Sequence, residues 1–353
     1  QNRKDLAEGL ISAREADDRG GLAVGGTLSV PVLATLYNDT PSAPAFASVP
    51  ALQMQLFGPN PTGSMTDYYE EVSYGNLNVT GTVFGWRRAT DPMFSYTINN
   101  GLGGGGKAFV RDAIARHDAT VNFANFDGDG DGYVDIVVVV HPTMGAECTG
   151  PDVNMWSHHH YLTANGGLPA FTADGVVVDR YIVAPAISCN GGLIEIQVYC
   201  HEMGHGLGIP DLYDTGDSTV FYEWDSQGIG NWGLMGAGGS NPTSPSHMEA
   251  FSKERLGWLT YLDVPNDLTH LCLPPVETTP TAARVWSQGS IGPEYFLVEN
   301  RQLLGFDASL PAPGLVIYHV DEDVYDNLRS QNRVNAYERH KAIDVECADA
   351  SLA

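Results

Sequence analysis

The chain has 353 residues, 43% of them hydrophobic, with 40 glycines and 21 prolines, which excludes a disordered or fibrous protein and allows one large globular domain or two ordinary ones. Its formal charge is −25, with only four lysines, so it would repel a nucleic-acid backbone or an anionic membrane face. The longest apolar run, "IVVVV" at 136–140, falls far short of a membrane-spanning helix, so membrane insertion is not expected.

Residues 1–27 are charged, then glycine-rich, and read as a leader remnant or linker. The opening "QNRKDLAEGL" has no apolar signal core, so an export signal is expected to have been removed already. A first strand is predicted in "LSVPVLATLYN", 28–38, and the folded part is expected to run over 28–353. "YYEEVSYGNLNVTGTVFGWRR", 68–88, starts with helical spacing and becomes an alternating, half-buried strand. "KAFVRDAIARHD", 107–118, places Phe109, Val110, Ile114 and Ala115 for one helical face. "VDIVVVVHP", 134–142, is a β-branched run suited to a central buried strand. A motif helix is predicted at about 192–206, followed by an irregular glycine-rich region and a short helix in "EAFSKERLGWL", 249–259. "EYFLVENRQ" (294–302) and "GLVIYHVDE" (314–322) read as an antiparallel pair. The class is α/β, in the α+β sense.

The chemistry is concentrated in "CHEMGHGLGIPDLYD", 200–214. On a helix, His201 and His205 stand one turn apart on one face and can converge on a metal ion, with Glu202 beside them. Gly208 can adopt positive φ and end the helix, and Pro210 cannot continue it. The reversed chain can then return the carboxylate of Asp211 as a third ligand. Three protein ligands leave one position of a tetrahedral Zn²⁺ for water, and Glu202 is placed to take and pass a proton. A later glutamate, Glu223 or Glu249, is the alternative third ligand, as in gluzincin-type enzymes.

A second metal loop is read in "DGDGDGYVD", 127–135. Asp127, Asp129 and Asp131 alternate, Gly132 takes the sixth position, Asp135 the ninth, and Tyr133 can add its carbonyl. Ca²⁺ is the expected occupant, although Val138 stands where a complete EF-hand has its bidentate glutamate. "GLGGGGKA", 101–108, matches a phosphate loop only in part: Ala108 replaces the magnesium-binding hydroxyl and no buried strand precedes it. "WSHHHY", 156–161, reads as a surface strand or loop near the cleft, and His319 as a packed strand histidine.

Taken in order, "YYEEVSYGNLNVTGTVFGW", "FDGDGDGYVDIVVVVHP", "HEMGHGLGIPDLYD", "GNWGLMGAGG", "PSHMEAFSKERLGW" and "GLVIYHVDE" resemble the metzincin metallopeptidases, and most closely the M6 family of immune-inhibitor-A-like proteases. The resemblance implies a catalytic domain of two lobes, 28–208 and 209–353, the first built on a twisted mixed sheet with backing helices. It implies a methionine-containing turn, fitted by Met235, that packs as a floor rather than a ligand. The chain departs from the wider group in having Asp211 instead of a third histidine, and Ala237 where some members place a tyrosine.

The expectation is therefore a secreted, monomeric, calcium-stabilised zinc endopeptidase acting on proteins or peptides, with no nucleic-acid partner. A metal-binding adhesion module on a degenerate protease fold is the reading from another class. Of the five cysteines, Cys148 with Cys189 and Cys272 with Cys347 are the expected disulfides, with Cys200 a buried thiol. Zymogen control by an acidic leader residue, Asp17 or Asp18, is a further expectation.

Overall fold

The computed structural model describes residues 25–150, 153–215, 226–264 and 269–347. They fall into two units: Gly25–Tyr69 with Leu77–Gly206, and Glu70–Asn76 with the described residues from Leu207 onward. Both combine strands and helices, so the protein is of mixed α/β class. Asp17, Asp18 and Glu223 lie outside the described residues.

The first unit is built on β1 (Gly26–Leu36), β2 (Leu77–Arg88), β3 (Val137–Met144), β4 (His158–Tyr161) and β7 (Arg180–Ile187), in the order β2-β1-β3-β7-β4. The first four strands in that order are parallel and β4 closes the edge antiparallel to β7. The apolar run of β3 occupies the middle of the sheet, where both faces are covered and alternation is not required. A small hairpin pairs β5 (Phe171–Ala173) with β6 (Val176–Val178). Helices α1 (Val49–Phe57), α2 (Met65–Val72), α3 (Gly105–His117) and α4 (Ile196–Gly206) complete the described main elements before residue 207.

The inner face of α3 contains Phe109, Val110, Ala113 and Ile114, which join Leu33, Val137, Val139 and Tyr181 in the core. Ala115, predicted on that face, is exposed, and Ala113 takes its place because it lies four residues after Phe109. Lys107, whose position suggested a phosphate loop, instead lies in the first turn of α3, largely buried, and donates to the Ala164 carbonyl. Strand β7 was not anticipated. Its Pro185 and the lack of a clean alternation mask a strand that is buried over nearly its whole length.

The second unit carries the sheet β12-β11-β10-β9-β8, from β8 (Thr260–Asp263), β9 (Thr281–Trp286), β10 (Glu294–Arg301), β11 (Gly314–Asp321) and β12 (Ile343–Val345). β10 and β11 pair antiparallel from Glu294↔Asp321 to Arg301↔Gly314, as the sequence predicts. Helices α5 (Ala250–Arg255) and α6 (Glu322–Leu328) pack in the same unit. Glu249 is the N-cap of α5, accepting from the Ser252 N–H at 2.9 Å and also from its hydroxyl.

A buried charge network ties this unit together. The Arg301 guanidinium is fully buried and donates to both oxygens of Asp307 (2.9 and 2.7 Å), to Glu299 Oε1 (2.9 Å) and to the Trp232 carbonyl (2.7 Å). His247, also fully buried, faces Glu71 through Nε2 (2.8 Å) and accepts from Lys253 Nζ through Nδ1 (3.0 Å). Burial, foremost, and the adjacent Lys253 hold the imidazole below its ordinary pKa, so a neutral ring with its proton on Nε2 satisfies both partners. Burial and the Arg301 charge bring Lys253 down to about 8.

Cys148 and Cys189 form a disulfide, as expected. The second expected pair does not form: Cys272 and Cys347 are free and exposed. Spacing in sequence alone does not decide which cysteines pair. Cys200 is buried, and its thiol is pushed well above its usual pKa by burial.

Candidate metal centre and active site

Helix α4 is fixed at both ends within its own unit. Tyr199 donates to the Pro185 carbonyl (3.0 Å) and Tyr69 to the Cys200 carbonyl (2.6 Å). At the far end Arg180 donates to the Gly206 carbonyl (3.1 Å), placing a cation at the helix C-terminus where the macrodipole favours it. A Cβ on Gly206 would lie 2.7 Å from Ile136 Cδ1, so a larger residue there would make the end of the Ile136 side chain, just before β3, move. Neither Arg180 nor Tyr69 was singled out from the sequence, because their roles depend on contacts far along the chain.

The two histidines project from one face of α4, with ring centroids 4.8 Å apart and planes at 89°. Glu202, between them in sequence, is buried. The helix ends at Gly206, and Gly208 takes φ of 96°, the left-handed geometry anticipated for the chain reversal. His201, His205 and Asp211 each offer a ligand atom within 4.8 Å of the others. Two imidazoles and one carboxylate are nitrogen and oxygen donors of the kind zinc accepts, so the residues present fit that ion.

Asp211 belongs to a segment gripped through its backbone. Leu212 donates from its N–H to the Met235 carbonyl (2.7 Å), and its own carbonyl accepts from the Ile229 N–H (3.1 Å) and from Asn335 Nδ2 (2.8 Å). Met235 is fully buried, so it meets the segment through its main chain while its side chain packs. At Ala237 no hydroxyl is available, and its N–H donates to the Gly230 carbonyl (2.7 Å).

Among the three histidines of β4, His158 meets Trp156 O (2.8 Å) and the Tyr181 hydroxyl (3.2 Å). His159 points the other way: its Cδ2 lies 3.9 Å from where a Gly206 Cβ would sit. Its buried Nε2 has no hydrogen-bond partner among the described residues, and burial, then His205, push its pKa well down. His319 lies on β11 beside Phe296, with ring centroids 5.5 Å apart.

Asp127, Asp129 and Asp131 also gather ligand oxygens within 4.8 Å. The Asp135 carboxylate lies outside that group and accepts the Gly128 N–H at 3.0 Å. Gly132 has φ of 88°, the turn geometry anticipated at the sixth position. Tyr133 donates its N–H to Asp131 Oδ1 at 2.8 Å. A third group, Glu294, Asp321 and His340, is accounted for by local bonding: Asp321 caps α6 and pairs with His340 at 2.6 Å. Glu249 belongs to none of the three groups, and its Oε1 caps the start of α5.

No helix among the described residues is long and apolar enough to cross a membrane. The chain matches the family described as immune inhibitor A peptidase M6, catalytic domain, over residues 53–259. It is 29% identical to immune inhibitor A of Bacillus thuringiensis subsp. alesti, across 65% of this chain and 36% of that relative. It is 28% identical to the pre-pro-metalloprotease PrtV of Vibrio cholerae serotype O1 (strain M66-2), across 56% of this chain and 24% of that relative. The chain thus spans well under half the length of these curated relatives. With a family match across more than half its length, the chain belongs to the immune inhibitor A peptidase M6 family.

Proposed function

We propose that this protein is a secreted zinc endopeptidase of the metzincin type that hydrolyses peptide bonds in proteins, with His201, His205 and Asp211 as the metal ligands. The observation that carries the reading is the convergence of those three donors, with the buried carboxylate of Glu202 on the helix that carries both histidines. When bound, zinc supplies Lewis acidity, lowering the pKa of a ligated water toward ~7 and polarising the scissile carbonyl. Glu202 accepts the water proton and delivers it to the leaving amine. Met235 supports the Asp211 segment through the Leu212 bond. The disulfide supports an oxidising, extracellular location. Substrates are proteins or peptides, and the chain acts as a monomer. Zinc-loaded protein is expected to cleave an unfolded protein substrate, and a zinc chelator to abolish cleavage reversibly. Chelator-resistant cleavage would overturn the zinc assignment.

The loop Asp127, Asp129, Asp131, Tyr133 and Asp135 is proposed to hold a structural Ca²⁺. Support comes from the gathered carboxylates and from Asp127 Oδ1, which is buried with no hydrogen-bond partner among the described residues. Ca²⁺ at a hundred times its Kd is expected to raise stability by about 2.7 kcal/mol. The double substitution Asp129→Asn with Asp131→Asn should remove that increment, as read from thermal melts with and without Ca²⁺. An unchanged increment would place the ion elsewhere.

A further inference from the structure

We propose that Asn332 is the positioning residue for the third metal ligand, holding the Asp211 carboxylate in the orientation that zinc requires. The inference rests on the ligand set proposed above. Asn332 touches Asp211 twice. Its Oδ1 accepts the Asp211 backbone N–H at 2.8 Å, and its Nδ2 donates to Asp211 Oδ2 at 2.6 Å. The amide orientation is set by these partners, since an N–H needs the oxygen and a carboxylate needs the NH₂. A single planar group thus bridges the main chain and side chain of one residue, which fixes the carboxylate's rotation relative to its own backbone.

Such a restraint has a purpose here. Asp211 lies outside any helix or strand, just after Gly208 and Pro210, so secondary structure does not orient its side chain. The two histidines, by contrast, are carried by a helix fixed at both ends. A ligating carboxylate is commonly held by a hydrogen-bond donor behind it, and losing that donor costs about 10–100-fold in metal affinity. Asn is also suited to this position by its backbone. Asn332 has φ of 54° and ψ of 42° at the end of the 3-10 turn Arg329–Gln331, a left-handed conformation that Asn tolerates better than most residues.

The neighbouring contacts add rigidity. The Asn332 carbonyl accepts from the Thr215 hydroxyl. Asn335, fully buried, bonds the Leu212 and Ile343 carbonyls at 2.8 Å each and accepts the Ile343 N–H at 3.1 Å. The 332–335 segment therefore clamps residues 211–215 from a point 121 residues away in sequence. Asn332 also lies outside the stretch 53–259 that carries the family match, so the match itself assigns it no role.

The test measures zinc affinity by competition with a chromophoric chelator, using the whole chain, three single variants and one double variant. Asn332→Gly keeps the left-handed backbone accessible and removes the amide. Asn332→Asp keeps the shape but sets a second carboxylate against Asp211. Asp211→Ala removes the ligand itself. Asn332→Gly is expected to weaken zinc binding by about 10–100-fold, and Asn332→Asp at least as much, with the melting of the metal-free protein little changed. The Co²⁺-substituted protein should show a shifted visible spectrum in both. In an Asp211→Ala background, Asn332→Gly should add no further loss. Wild-type zinc affinity in both Asn332 variants, with Asp211→Ala impaired, would overturn this proposal alone. Wild-type affinity in Asp211→Ala would overturn the ligand set itself. A fall in metal-free stability with unchanged affinity would make Asn332 structural only.

Discussion

Glu202→Gln is expected to fold, to bind zinc as the wild type does, and to lose about 10²–10⁴-fold in kcat, the range of a removed general acid–base. The substitution nearly preserves the volume of a residue buried on α4, so packing changes little. What disappears is basicity: an amide cannot take the proton that a carboxylate takes. His201 and His205, one residue before and three after, keep their nitrogen donors, so the metal remains. Because proton transfer belongs to the transition state, kcat should fall with KM nearly unchanged. Steady-state kinetics beside a zinc determination decides the matter. Near-normal kcat at full zinc occupancy would remove Glu202 from the mechanism.

Arg301→Met is expected to destabilise the protein by about 3–5 kcal/mol, the cost of removing one partner from a buried ion pair. The guanidinium is enclosed and serves two carboxylates and a carbonyl at once. Without it, Asp307 and Glu299 become like charges in a dry interior. Burial works to raise the Asp307 carboxyl, but the Arg301 charge holds it well below the usual carboxylate range. Glu277 goes the other way, raised to about 7 mainly by burial. The Trp232 carbonyl, three residues before Met235, loses its donor in the same substitution. Melting temperatures should fall by on the order of ten degrees, and a shift of one or two degrees would mean that the carboxylates protonate at little cost.

The short motifs were legible because their logic is local. A one-turn histidine spacing, a glycine for positive φ and a proline that stops a helix act over eleven residues, and the geometry of 201–211 follows from them. The β10 and β11 pair was equally readable, since a sheet with one covered face writes alternation into its strands. What escaped was set by distance. β7 is buried in the sheet and so lacks the alternation that betrays a strand. Asn332 stands in an unremarkable polar stretch, and its value comes from an amide meeting a residue 121 positions earlier. The exposed thiols of Cys272 and Cys347 taught the same lesson, since spacing in sequence carries no record of separation in space.

The C-terminal part of α2 and the residues after it, Glu70–Asn76, have their partners very late in the chain. Glu71 accepts from the Phe306 N–H across 235 residues and meets His247 across 176. Tyr74 donates to the Val276 carbonyl across 202 residues and accepts from Lys253 across 179. At roughly 5–20 residues per second of synthesis, the 235 residues separating Glu71 from Phe306 take on the order of ten seconds or more to appear. Until residues 247–306 have emerged, this short stretch lacks the distant partners just named, and the growing chain exposes surface that the finished molecule covers. Contacts of such long range also slow the search for the native state, since loop closure must be achieved before they form. A chain cut short after the histidine motif would therefore keep the chemistry-bearing helix in its sequence and yet leave 70–76 without the late residues it was made to meet.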